Sequence, residues 1–163
     1  ATTLLDQHEN LVILRTLSKA WGLAGARCGV GISHPSVINL LQKVRAPYPL
    51  STPSIDLIHD CLSNEGKKQC TEFVKQNEME RDFLTRELLS CHQVKSIIPS
   101  STNFLLVKTT SARRFCAQAL RAGIVLRDRS REINLTNCVR ISVGTRKQNE
   151  SLLQSLQQKW SLE

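Results

Sequence analysis

Apolar positions along this chain repeat with two different periods, and those periods predict its elements. Leu11-Val12-Ile13-Leu14 is a short β-branched run, the pattern of a buried strand. A second strand is expected near Cys28–Ile32, after a stretch rich in glycine and small residues that suits tight turns. Ser33-His34-Pro35-Ser36 reads as a helix start with proline in its first turn. Val37, Ile38, Leu40, Leu41 and Val44 then recur at helical spacing. A long helical stretch is expected over 54–89, interrupted near Ser63-Asn64-Glu65-Gly66, with Phe73, Val74, Phe83, Leu84 and Leu88 on one face. Strands are expected next at 94–98 and 104–107, a helix at 112–121 ending before Gly123, strands at 124–126 and 139–143, and a closing helix from Asn149 to Trp160.

Three prolines in Ala46-Pro47-Tyr48-Pro49-Leu50-Ser51-Thr52-Pro53 enforce an extended connection, the best candidate for a domain boundary. Beyond it the chain combines strands and helices as an α+β unit.

Composition changes this picture little. At 163 residues the chain has room for one domain or one and a fraction. With 40% hydrophobic and 22% charged residues it is globular, not disordered. No apolar run is long enough to span a bilayer, and Ala1–Asp6 lacks the basic start and apolar core of a signal peptide, so a cytoplasmic location is expected. The net charge of +8 raises nucleic-acid binding as a reading. Against it, the cations are dispersed and aromatics are only 4%, too few for stacking platforms. A basic enzyme surface or an anionic substrate explains the charge as well. The six cysteines form no Cys-x-x-Cys pair and no histidines stand at zinc spacing, so free thiols are expected and no metal.

The candidate chemistry lies in Thr16-Leu17-Ser18-Lys19-Ala20 and Gly25-Ala26-Arg27-Cys28-Gly29. A lysine just after a buried strand, on a small-residue turn, aims its amine into a confined space. Desolvation there favours the neutral amine, the form that condenses with an aldehyde. Ser18 offers a hydroxyl and Arg27 a planar fork suited to a phosphate. An aldehyde-binding lysine beside phosphate-binding groups is what pyridoxal phosphate requires. The plainer alternatives are a solvated surface lysine and an arginine paired with a carboxylate.

Ser18-Lys19-Ala20 with Leu23-Ala24-Gly25, Arg27 and Gly29 after it resembles the cofactor-lysine signature of fold-type I aminotransferases. The likeness narrows to the histidinol-phosphate aminotransferase family. It rests on 14–20, 23–29, 46–53, Thr102-Asn103-Phe104, 123–128 and Val139-Arg140-Ile141-Ser142-Val143-Gly144-Thr145-Arg146, in that family's order.

The resemblance implies an α/β chain: the end of a large, mostly parallel-sheet transferase domain over 1–50, then an α+β small domain over 51–163 that includes the interdomain helix. It implies that Lys19 holds pyridoxal 5′-phosphate and moves the substrate proton, that Ser18 and Arg27 anchor the cofactor phosphate, and that Arg127 and Arg140 bind the substrate anion. The implied reaction joins histidinol phosphate and 2-oxoglutarate in histidine biosynthesis, in a homodimer, with small-molecule partners and neither nucleic acid nor membrane. Arg127 could instead pair with Asp128 or Glu132, and Arg129 and Arg146 read as surface residues.

Members of that family are about twice as long. Their carboxylate for the pyridine nitrogen, stacking aromatic, and ring-hydroxyl tyrosine and asparagine have no counterpart here, so the chain reads as a C-terminal half. By itself it is then expected to expose sheet edges and an apolar face around 11–32 and to bind cofactor and turn over weakly. A related enzyme, such as an aromatic aminotransferase or a threonine-phosphate decarboxylase, and a non-catalytic remnant are the competing readings.

Overall fold

A computed structural model of the chain describes residues 2–157. The fold is α/β, and it divides into two compact units between Phe73 and Val74, inside its longest helix. The proline-rich connection therefore lies within the first unit.

In the first unit, β1 (Val12–Thr16) and β2 (Gly29–Ser33) pair antiparallel from Val12↔Ser33 to Thr16↔Gly29. The mostly parallel sheet expected here is not seen among the described residues. The connection between the two strands holds only a short 3-10 turn at Ala24–Ala26, and a parallel pair needs a full crossover. Helix α1 (Pro35–Val44) starts where the sequence predicts, with the His34 side chain accepting from Ser36 N and Pro35 in the first turn. Helix α2 (Thr52–Leu62) is capped by Ser51.

Ser63 is extended and separates α2 from α3 (Asn64–Leu89). Gly66 is required there: a Cβ would lie 2.2 Å from the Cys61 carbonyl oxygen, so only glycine lets α3 begin against the last turn of α2.

Burial in this unit runs against the sequence reading. The β1 strand is not buried: Leu14 is 79% exposed, and Val30 on β2 is 47% exposed. Leu40, Leu41 and Val44 on α1 are exposed too. An exposed apolar face around 11–32 is what the resemblance implies. Its physical source is a two-stranded sheet with both edges unpaired.

The second unit has a sealed core. Its sheet is antiparallel throughout, in the order β3-β4-β6-β5: β3 (Val94–Ile98), β4 (Phe104–Thr109), β6 (Cys138–Ser142) and β5 (Arg127–Asp128). Along β4, Leu105, Val107 and Thr109 are buried while their neighbours are half-buried, the period-2 signature of a sheet covered on one side. Val139 and Ile141 of β6 join that face. Leu84 and Leu88 of α3 pack against it with Phe115 and Ala119 of α4 (Ala112–Arg121) and Leu152 and Leu156 of α5 (Arg146–Gln157).

Two boundaries differ from expectation. The strand expected at 124–126 is β5, which begins at Arg127. Ile124 N still bonds the Ala119 carbonyl at the end of α4, so the apolar run closes the helix before the chain reaches its ladder. The closing helix starts at Arg146, not Asn149, because Thr145 and Gln148 form a capping box: Thr145 N donates to Gln148 Oε1 (2.9 Å), and Gln148 N to Thr145 Oγ1 (3.5 Å). The expected end of that helix at Trp160 lies outside the described residues.

Candidate active site

Lys19 sits on a tight turn just past the end of β1. Gly22 N bonds the Lys19 carbonyl (2.9 Å), and Gly22 has φ +67°, a conformation glycine adopts without penalty. Leu17 N bonds Cys28 O (3.3 Å), and Leu23 N bonds Leu17 O (3.0 Å). The first bond extends the β1–β2 ladder one step past Thr16↔Gly29, and the second turns the chain away from it, so Ser18-Lys19 and Arg27 lie in the two segments that leave the same end of the strand pair. Leu23 and Ala26, the two buried hydrophobic residues described in this unit, anchor the loop from below. Cys70 of α3 donates its thiol to the Ala20 carbonyl (3.3 Å) and ties down the residue after Lys19.

The Ser18 hydroxyl accepts from Thr16 Oγ1 (2.9 Å), and its own proton stays available to an anion. Arg27 is left-handed (φ 52°), sparsely populated backbone for a non-glycine residue and a form of strain that clusters at functional sites. Its Nη1 reaches Ala24 O at 3.3 Å, and no carboxylate pairs with it among the described residues.

A hydroxyl next to a lysine, with a guanidinium in the segment that leads into the partner strand, are the group types that suit a phosphate-bearing aldehyde such as pyridoxal phosphate. The confinement predicted for Lys19 is not observed. Lys19 is exposed, because the strand before it is exposed and no described residue covers the turn.

The second cluster lies in the other unit. Arg127 of β5 stands directly opposite Arg140 of β6. Like charges in direct cross-strand register repel, and among the described residues no ion pair joins either arginine to a carboxylate. Glu132 pairs with Arg129 instead, and Asp128 is taken by Ser130. Arg140 lies over the Phe104 ring, 4.8 Å from guanidinium carbon to ring centre, a stacking that fixes its plane.

Because β5 has only two residues, the edge of β6 beyond Arg140 is left uncovered as the chain turns away through 123–126. A cleft of about 760 Å³ opens there, with both arginines, Asp128, Gly144 and Asn149 in its lining. Such a site favours a bidentate anion, which relieves the repulsion between the two forks.

Sequence reading missed the residues that hold this cleft. Arg146 is exposed, as expected, but it is tied down. Its Nε donates to both oxygens of Glu80 (3.1 Å each), its Nη2 lies 3.0 Å from Oε1, and its guanidinium stacks 3.7 Å over Phe83. Asn149 Nδ2 donates to the same carboxylate (3.0 Å) and to Gly144 O (3.1 Å), while its Oδ1 accepts from Gly144 N (3.0 Å). The Arg146 hydrogen bonds hold the buried Glu80 carboxyl below its ordinary value, with Asn149 helping and burial opposing. Glu80 and Arg146 are 66 positions apart, so no local pattern could pair them. Arg129, also read as a surface residue, is only half-buried in its pair with Glu132. No group of three metal-ligating side chains occurs among the described residues.

The α/β fold thus carries two clusters, a lysine turn with a hydroxyl and a guanidinium near it and an arginine pair on an antiparallel sheet, and comparison with known proteins gives the class. The model of the aminotransferase class I and II family matches residues 2–156, and the chain belongs to that family. Family members depend on pyridoxal phosphate.

Within it, the chain is 40% identical over 153 residues to the histidinol-phosphate aminotransferase of Baumannia cicadellinicola, covering 94% of this chain and 42% of the relative. The chain thus spans about two-fifths of the length of the curated relatives it matches. The crystal structure of histidinol-phosphate aminotransferase from Clostridium acetobutylicum superposes with a TM-score of 0.83 at 22% identity, over 95% of this chain and 47% of that one; at that identity the likeness is one of fold. The Sinorhizobium meliloti histidinol-phosphate aminotransferase, solved in complex with pyridoxal-5′-phosphate, gives 0.79 at 26% identity, over 91% and 40%.

Proposed function

We propose that this chain carries the lysine turn and the substrate-anion site of a pyridoxal-phosphate-dependent aminotransferase. It transfers an amino group between L-histidinol phosphate and 2-oxoglutarate, giving imidazole acetol phosphate and glutamate in histidine biosynthesis. The observation that carries the reading is the direct opposition of Arg127 and Arg140 at an open cleft. Histidinol phosphate bears a phosphate and no α-carboxylate, whereas glutamate bears carboxylates. One site must take both in turn, and two adjacent forks can bind either by charge-assisted, bidentate bonds. The 40% identity to a histidinol-phosphate aminotransferase supports the same substrate.

Each residue then has one task. When bound, pyridoxal phosphate supplies the electron sink that makes the substrate Cα acidic. Lys19 would hold it through Nζ and, once released, would take the proton from the Cα of the amino donor and, in the reverse half of the cycle, deliver one to the Cα of the new amino acid. Ser18 Oγ and Arg27 hold the cofactor phosphate. Residues 1–50 close the large cofactor domain and 51–163 form the small domain with its interdomain helix, in a cytoplasmic homodimer. The exposure of Lys19 fits weak turnover by this chain alone.

The test is chemical labelling. The protein is mixed with pyridoxal phosphate, reduced with borohydride, and its modified peptides are mapped by mass spectrometry. One dominant adduct on Lys19, diminished by inorganic phosphate and by Arg27→Ala, is the expected result. Labelling spread evenly over the lysines would overturn the assignment.

A further inference from the structure

The bonds around β5 raise a question that the arginine pair alone leaves open: what holds Arg127 in place? A two-residue strand at a sheet edge has little ladder to fix it, and its cross-strand neighbour is another cation. The chain after it, from Arg129 to Asn137, is a loop. That loop is pinned at defined points.

Asp128 Oδ1 accepts from Ser130 N (2.8 Å) and from Ser130 Oγ (2.5 Å). Ser130 Oγ in turn accepts from Asn137 N (3.1 Å). Asn137 is left-handed (φ 57°), which asparagine tolerates better than most residues. Its Oδ1 accepts from Ala112 N at the start of α4 (3.3 Å), and its carbonyl from Thr109 N and Oγ1 (2.9 and 3.0 Å). Ala112 and Thr109 are buried at 1% and 0% exposure. A continuous path of hydrogen bonds thus runs from the sealed core to the residue beside Arg127.

We infer that Asp128, Ser130 and Asn137 form a latch that positions Arg127 for anion recognition. They are positioning residues and touch no substrate themselves. In the β5–β6 register Asp128 faces Val139, a core-side residue, so its side chain leaves the sheet on the face opposite Arg127. The inference rests on the proposal that Arg127 and Arg140 bind an anion.

The sign of one substitution separates the latch from simple electrostatics. Asp128 is a negative charge next in the chain to Arg127, and its residue contributes to the cleft lining although its side chain leaves the opposite face of the sheet. If charge alone matters, removing it strengthens anion binding. If the latch matters, Asp128→Ala frees β5 and weakens binding although a repulsive charge has gone. Asp128→Asn keeps an Oδ1 acceptor for both Ser130 bonds while removing the charge.

The experiment titrates the full chain with inorganic phosphate by calorimetry, at a temperature where melting curves show every variant folded. Loss of two bonds predicts about tenfold weaker phosphate binding in Asp128→Ala, a smaller loss in Ser130→Ala, and affinity at or above wild type in Asp128→Asn. Phosphate binding in Asp128→Ala as tight as wild type, or tighter, would refute the latch. Arg127→Ala is the control. If it loses affinity while Asp128→Ala and Ser130→Ala do not, the latch alone fails. If it binds phosphate like wild type, the anion reading fails and the latch falls with it.

Discussion

The two units of this chain bury their apolar residues in opposite ways. In the second, Leu84, Leu88, Val107, Phe115, Ala119 and Val139 are at 0% exposure and enclose one side of a four-stranded sheet. In the first, Leu23 and Ala26 are the buried hydrophobic residues described, while Leu14, Val44 and Tyr48 are exposed at 79%, 82% and 93%. The same kinds of residues occur in both, so composition does not make the difference. A sheet face becomes a core only when another layer covers it. In the second unit α3, α4 and α5 do so; in the first a two-stranded ribbon meets too little to close over. The contrast divides the proposed chemistry too: the arginine cleft is built on a self-supporting scaffold, the lysine turn on a marginal one.

The largest expected effect tests the sealed half. Phe115→Ala removes a fully buried aromatic from the centre of the core and leaves a cavity, so it should cost about 3–5 kcal/mol of stability in the second unit. Urea unfolding reports the loss, and amide exchange on β4 and β6 locates it. A cost under about 1 kcal/mol, the range of surface changes, would mean that the core is not the scaffold of the cleft.

Next in size is the arginine pair. Arg140→Ala removes the better-held fork, the one stacked on Phe104. Phosphate affinity should fall by about ten- to a hundredfold, the loss of a charge-assisted bidentate contact. Because Arg140 faces away from the core, the melting temperature of the second unit should hardly move. A large fall in melting temperature with unchanged affinity would make Arg140 structural.

Smaller still is the effect at Glu80. Its carboxyl titrates below the ordinary value of 4.5 in the folded chain, chiefly because Arg146 donates to it. A group with a depressed folded value contributes stability that is fully present above its unfolded value. That contribution is lost as pH falls through the folded value. The second unit should therefore lose melting temperature on acidification below about pH 4.5 more steeply in wild type than in Glu80→Gln, with the two slopes alike near pH 7. Parallel curves over the acid range would remove the Glu80–Arg146 pair from the account. Asp128, lowered by its Ser130 bonds, adds to the same acid limb, so the double variant with Asp128→Asn should be flatter again.

Sequence range decides how much of this was legible beforehand. Caps and breaks are local, so the start of α1 at Pro35 and the break between α2 and α3 at Ser63 could be read from neighbouring residues. The Thr145–Gln148 capping box is equally local, and it starts α5 three residues before the expected Asn149. Asp128-Arg129-Ser130 carried a signal as well, since aspartate accepting from a serine two residues on is a common turn device. The expected strand at 124–126 failed because Ile124 still closes α4, so the chain joins the β6 edge only at Arg127. Lys19, Ser18 and Arg27 stand out as residue types in a pattern, but their exposure depends on what lies over the turn, which no local pattern records. The Arg146–Glu80–Asn149 clip was invisible because its members meet only in the fold.

The smallest expected effect carries the sharpest test of the comparison. Leu14→Ser would be ruinous in a buried strand, because a core leucine replaced by a small polar residue loses its transfer energy and leaves a hydroxyl to satisfy. At 79% exposure it should shift stability by no more than about 0.5 kcal/mol. It should also reduce self-association, since Leu14 belongs to an exposed apolar strand with a free edge. Urea unfolding at several protein concentrations reads both. If Leu14→Ser instead costs about 2 kcal/mol or more, and the cost grows with concentration, the β1–β2 face is covered in solution by a second copy. If the cost is the same at every concentration, the first unit closes over Leu14 by itself, and the contrast between a sealed and an open half disappears.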